Sequence, residues 1–124
     1  MNLRKNIALF AAVMFAVACG NMGLTHEELR TIDSADSKGI MRVLTINDRA
    51  DSLVLRTPCA DFEEEDLERM FADSLSPCAR LASQMVATVT SPEQDGVGIA
   101  GPQVGICRRI VAVQRFDKPG NPFE

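Results

Sequence analysis

The segment "DGVGIAGPQVGICRRIVAV", residues 95–113, places three closely spaced glycines before a β-branched run. Glycine lets a backbone approach another chain closely, because no Cβ stands in the way. Ile110, Val111 and Val113 favour a pleated, half-buried strand. We therefore predict a glycine loop followed by a strand over residues 106–114. The loop is either a contact surface for an extended ligand or an ordinary tight turn, and on the residues alone the turn is the simpler interpretation.

Two helices are predicted upstream of the loop. In "ADFEEEDLERMFADSL" (residues 60–75), apolar residues recur at helical spacing and acidic residues crowd the first turn, where they complement the helix dipole. Ser76 and Pro77 fit an N-cap followed by a first-turn proline. The second helix then carries an apolar stripe and ends before Pro92; the stripe consists of Leu81, Met85 and Val89.

The earlier part of the chain adds a strand to these helices. "IMRVLTIND" (residues 40–48) predicts a short strand that ends at an Asn-Asp turn. With 124 residues, the chain is long enough for one small domain. The sequence therefore predicts an α+β domain over residues 40–124.

The first eighteen residues have the pattern of a signal peptide. Arg4 and Lys5 precede an apolar run, residues 7–18, that is too short to cross a bilayer, which takes roughly 20 residues. The junction "AVAC" resembles the lipobox of bacterial lipoproteins, so we expect Cys19 to be lipidated and the protein to be exported and lipid-anchored in the bacterial cell envelope. The alternative is an ordinary signal peptide cut after Ala18. Residues 19–39 are predicted to form a polar tether that does not pack well.

Charge and cysteine content limit the partners. The net charge is −4, and removal of residues 1–18 takes away two cations and shifts it to −6, which argues against nucleic-acid binding. The four cysteines include no Cys-x-x-Cys pair, so a zinc cluster is not expected. A Cys59–Cys78 disulfide remains open, although nothing in the sequence selects it.

The glycines also match the dinucleotide-binding pattern G-x-G-x-x-G, over Gly96–Gly101. That fingerprint requires a strand before the glycines and a helix after them, so that the helix N-terminus meets the pyrophosphate. Here a helix is predicted before the loop and a strand after it, so we reject nucleotide binding.

A family resemblance rests on the same loop. "GVGIAGPQVG" (residues 96–105) resembles the first signature of the peptide deformylases, G-φ-G-φ-A-A-x-Q, in which φ is apolar. "MRVLTINDRADSLVLRTPCADF" is similar to that family's opening segment. The resemblance covers residues 40–124 and departs from the family at Gly101, where alanine is usual. It implies a peptide-deformylase-like α+β fold, truncated to its N-terminal part.

The resemblance implies hydrolysis of the N-formyl group from the formyl-methionine that begins a peptide. Gln103 would be the catalytic residue that holds the formyl oxyanion, whereas Gly96, Val97 and Gly98 would bind the peptide, with Val97 also lining the methionine pocket. The family's metal, iron(II) or zinc, is held by the cysteine of an E-G-C-L-S segment and two histidines of H-E-x-x-H.

Neither of these metal-binding segments occurs in this sequence. The single histidine, His26, lies in "HEELR", which has Arg30 where a second histidine would be required. We therefore expect this chain to be inactive alone. The alternatives are a non-catalytic envelope lipoprotein that docks peptides at the glycine loop, and a plain envelope lipoprotein whose loop is only a turn.

Overall fold

A computed structural model describes residues 23–124. The predicted signal peptide and Cys19 lie outside the described residues. The described chain contains four α-helices, one 3-10 helix and two short strands. In chain order these are α1 (His26–Asp33), α2 (Arg49–Leu55), α3 (Glu64–Ala72), α4 (Pro77–Val89), β1 (Gly98–Ala100), the 3-10 helix (Gly101–Val104) and β2 (Val111–Val113).

Helix α4 is the centre of the packing. It begins as predicted, with the Ser76 hydroxyl accepting a hydrogen bond from the Ala79 N–H at 3.3 Å. Its predicted stripe is buried, and around it pack side chains from α1, both strands and the 3-10 helix. The core consists of Ile32, Met41, Leu81, Met85, Val89, Ile99, Val104, Ile106 and Ala112.

Part of the predicted polar tether packs against this core. Thr25 and Glu28 form a capping box that starts α1, and Ile32 at its end is fully buried. The expectation that the tether does not pack is therefore wrong for this part of it. The T-x-x-E spacing was a start signal, and Ile32 anchors the end of this short helix in the core.

Residues 40–46 do not form the predicted strand. The Met41 N–H donates to the buried Thr88 hydroxyl at 2.9 Å, and the Leu44 N–H donates to the Gln103 carbonyl at 2.8 Å. The N–H groups of the segment donate to α4, to the 3-10 helix and to nearby aspartate carboxylates rather than to a neighbouring strand. The apolar residues of this segment therefore indicated neither sheet pairing nor uniform burial, since Met41 is buried but Ile46 is 78% exposed.

The two strands form an antiparallel pair in which Gly98 faces Val113 and Ala100 faces Val111. The four helices and this small sheet confirm a mixed α and β architecture. The strand predicted over residues 106–114 is reduced to Val111–Val113, because residues 106–110 instead wrap around Gly101 in short turns.

The remaining structural expectations concern cysteines and the membrane. Cys59, Cys78 and Cys107 are free, so the Cys59–Cys78 disulfide left open by the sequence is not formed. Within residues 23–124, we find no helix with the length and apolar character needed to span a bilayer.

Candidate active site

The candidate site lies along the outer edge of β1, which is the edge that does not pair with β2. The Val97 carbonyl accepts from the Gln114 N–H at 2.8 Å, and the Gly101 N–H donates to the Ile110 carbonyl at 2.9 Å. Because alternate residues of an antiparallel strand face the partner, the N–H and C=O of Gly98 point away from β2. Gly98 is exposed, and neither group is hydrogen-bonded among residues 23–124.

Gln103 is fixed along the same edge. Its Oε1 accepts a hydrogen bond from the Ala100 N–H at 2.8 Å, and that N–H also points away from β2. Because a backbone N–H can only donate, the oxygen must face Ala100, and the amide nitrogen faces elsewhere. The Gln103 side chain is exposed, and its Nε2 donates to no group within the described part of the chain.

The other two predicted binding residues occupy different positions. Gly96 precedes the strand, and its N–H donates to the Val89 carbonyl at 2.9 Å, which fastens the loop to the end of α4. The Val97 side chain is exposed, but its carbonyl is used by Gln114. Of the residues expected to bind the peptide, Val97 therefore does not offer its carbonyl for main-chain pairing.

Gly101 is enclosed by the turns that follow it. A Cβ at this position would lie 2.7 Å from the Ile106 carbonyl oxygen and 2.8 Å from that of Arg108. The Ile106 N–H donates back to the Gly101 carbonyl at 2.9 Å. The close approach of this backbone requires a glycine, so Gly101 tightens the turn behind Gln103 and does not loosen it.

A buried ion pair supports that turn from the other side. The Arg108 Nε lies 2.7 Å from Glu28 Oε1, its NH1 donates to the Asp61 carbonyl at 2.7 Å, and its guanidinium lies 5.6 Å from the centre of the Phe62 ring. Burial alone would raise the pKa of Glu28, but the hydrogen bond from Arg108 holds this pKa below its ordinary value.

The candidate site lies outside a large groove in the described part of the chain. That groove, of about 1110 Å³, lies between α3, α4 and β2, and no residue from 96 to 103 lines it. The predicted site residues therefore form an open strand edge, which suits an extended chain better than a compact small molecule.

The side chains of the described residues that could bind a metal do not form a site for the family's iron(II) or zinc. Among residues 23–124, no three His, Cys, Asp or Glu side chains lie close enough together to hold an ion. His26 is the first residue of α1. A catalytic zinc site needs three protein ligands and an open position, and the described residues do not supply them.

Comparison with known protein families gives a match that includes the glycine loop. The family model for polypeptide deformylase matches residues 40–123, more than half of the chain. No curated protein and no solved structure matches the chain. The chain therefore belongs to the polypeptide deformylase family.

Proposed function

We propose that this chain binds the beginning of extended formyl-methionyl peptides along the outer edge of β1, as the substrate-docking part of a peptide deformylase site. The proposal is carried by one observation. The N–H and C=O of Gly98 point away from β2, and the Gln103 amide is held on the same edge with its N–H donors unused by the described residues.

The chemistry follows from this edge. A peptide in extended conformation pairs with the main chain of Gly98 as an added strand. Further along the edge, the Gln103 Nε2 donates to the formyl oxygen, and this hydrogen bond strengthens as the oxygen gains negative charge during hydrolysis. The Ala100 N–H orients the glutamine, so no rotation of the amide is needed when the substrate arrives.

In this family a bound metal, iron(II) or zinc, lowers the pKa of the attacking water. Since the described residues do not fit that metal, we derive no hydrolytic step for them. We expect the 124-residue chain alone to show no deformylation of formyl-Met-Ala-Ser with added iron(II) or nickel. Turnover above metal-only blanks would contradict this expectation.

Binding is tested separately from hydrolysis, with formyl-Met-Ala-Ser titrated against the isotope-labelled chain by NMR. We expect shifts at the amides of residues 97–103. Formyl-Met-(N-methyl)Ala-Ser, which loses one main-chain donor, is the matched ligand and should bind more weakly. Equal binding of the two peptides, or shifts confined to the α3–α4 groove, would overturn docking at the β1 edge.

Gln103→Glu tests the formyl contact without disturbing the fold. The carboxylate still accepts from the Ala100 N–H but has no N–H donor for a formyl oxygen. We expect the affinity for the formylated peptide to fall by about 3- to 10-fold, as for one lost hydrogen bond. An unchanged preference for formyl-Met-Ala-Ser over Met-Ala-Ser would remove Gln103 from the site.

The second candidate function is a non-catalytic envelope lipoprotein that docks peptides at the same edge. It is favoured by the lack of a three-ligand cluster among residues 23–124. It includes export and lipid anchoring through Cys19, which mass spectrometry of the processed N-terminus tests. The encoding DNA beyond codon 124 separates the two functions, because continuation into E-G-C-L-S and H-E-x-x-H supports the enzyme.

A further inference from the structure

Two half-buried cysteines lie next to each other on neighbouring extended segments. Ala60, between α2 and α3, forms a parallel bridge with Arg108: its N–H donates to the Cys107 carbonyl at 2.9 Å, and its carbonyl accepts from the Arg109 N–H at 3.0 Å. In parallel pairing the preceding residues also face each other, so Cys59 lies opposite Cys107.

The bridge at Ala60 and Arg108 brings the two cysteine-bearing segments side by side, at a spacing that a disulfide can span. Paired segments lie about 4.8 Å apart, and directly opposite residues project to the same face. Disulfides join residues whose Cα atoms are roughly 4.4 to 6.8 Å apart. Both thiols are free and partly accessible. Burial raises the pKa of Cys107, and the charge of the neighbouring Cys59 raises it further.

We propose that Cys59 and Cys107 form a reversible disulfide that fastens the turn behind Gln103 to the connection between α2 and α3. The oxidant is a low-molecular-weight disulfide such as oxidised glutathione. One cysteine thiolate attacks it and releases glutathione. The second cysteine thiolate then attacks the mixed disulfide and releases another glutathione. The two thiol protons leave with the two glutathione molecules, so two cysteines are oxidised and one glutathione disulfide is reduced.

The third cysteine among the described residues provides a comparison for susceptibility to oxidation. Cys78, at the start of α4, is 2% exposed, and burial raises the pKa of its thiol to about 11. A thiol enclosed in the core is out of reach of an oxidant in solution, whereas Cys59 and Cys107 are both partly accessible. The structure therefore assigns oxidation to the pair of Cys59 and Cys107 and not to either of them with Cys78.

The test uses the full chain, incubated in buffers with increasing ratios of oxidised to reduced glutathione. We expect a loss of about 2 Da per chain without bound glutathione, and one cross-linked peptide that joins Cys59 to Cys107 after proteolysis. Cys78→Ala and Cys19→Ser should keep this cross-link, whereas Cys107→Ser should abolish it and leave a glutathione adduct on Cys59.

A thermal measurement separates a native disulfide from one that forms in unfolded chains. Because the bond closes a loop of about 50 residues, the oxidised chain should melt about 15 to 30 °C higher than the reduced chain, and dithiothreitol should reverse the shift. The proposal is overturned if the cross-linked peptides join other cysteines, if both thiols end as glutathione adducts, or if oxidation lowers the melting temperature.

Discussion

Replacing Gly101 by alanine tests the most specific steric feature of this fold. The new Cβ would lie 2.7 and 2.8 Å from the carbonyl oxygens of Ile106 and Arg108, and 2.9 Å from the Ile110 Cγ2. Neither oxygen can move easily, because the Ile106 carbonyl accepts from the Arg108 N–H at 2.8 Å and the Arg108 carbonyl accepts from the Ile110 N–H at 2.9 Å.

Overpacking of this kind costs about 1 to 3 kcal/mol of unfolding free energy. For a domain of this size, each kcal/mol lowers the melting temperature by about 4 to 8 °C. We therefore expect Gly101→Ala to melt roughly 5 to 20 °C below the parent chain. This substitution is a demanding test, because alanine is the usual residue at this position in the family and would be expected to be tolerated there.

Gly98→Ala is the matched control in the same loop. A Cβ there would lie 3.5 Å from both the Ala112 carbonyl oxygen and the Val113 Cγ1, which is ordinary van der Waals contact. Its free energy of unfolding should stay within about 0.5 kcal/mol of the parent value. Urea titrations followed by circular dichroism measure both variants. If Gly101→Ala is as stable as Gly98→Ala, the tight turn around Gly101 is not the native arrangement.

Three further predictions concern the core and the acidic groups. Leu81→Ala, at a fully buried site on α4, should lower the free energy of unfolding by about 2 to 5 kcal/mol. Phe71→Ala, on the exposed face of α3, should lower it by less than about 0.5 kcal/mol. Equal losses for the two variants in urea titrations would contradict the assigned packing. The hydrogen bond from Arg42 holds the pKa of Asp51 below its ordinary value, so its stabilisation is present at neutral pH and is lost as the pH falls below about 4. Asp51→Asn should therefore be less stable than the parent at pH 7, and the difference should shrink at pH 2; a difference independent of pH would refute the pair. Burial raises the pKa of Asp66, whose Oδ2 has no hydrogen-bond partner among the described residues, so ionisation destabilises the fold as the pH rises above about 4. The melting temperature of Asp66→Asn relative to the parent should rise between pH 3 and pH 6, and a fall would show that the carboxylate is stabilised.

The sequence determined the local features of this protein. Ser76 and Pro77 fixed the start of α4, because a side-chain cap and a first-turn proline act within one helical turn. The spacing of Leu81, Met85 and Val89 defined its buried face for the same reason. The loop "GVGIAGPQVG" was sufficient to indicate the family, since its glycines and glutamine are recognisable without any fold.

Only the tertiary structure decided where backbone hydrogen bonds go. The segment from Ile40 to Ile46 has the alternation of a strand, yet it pairs with no strand, and two of its N–H groups donate to Thr88 and Gln103, which are distant in sequence. The same holds for the site: the register of Gly98 against Val113 determines which main-chain groups face outward, and a slip of one residue would reverse them. Local patterns do not by themselves decide which apolar side chains are buried, since Ile46 is 78% exposed. The choice of hydrogen-bond partner likewise depends on which distant segments the packed core brings together.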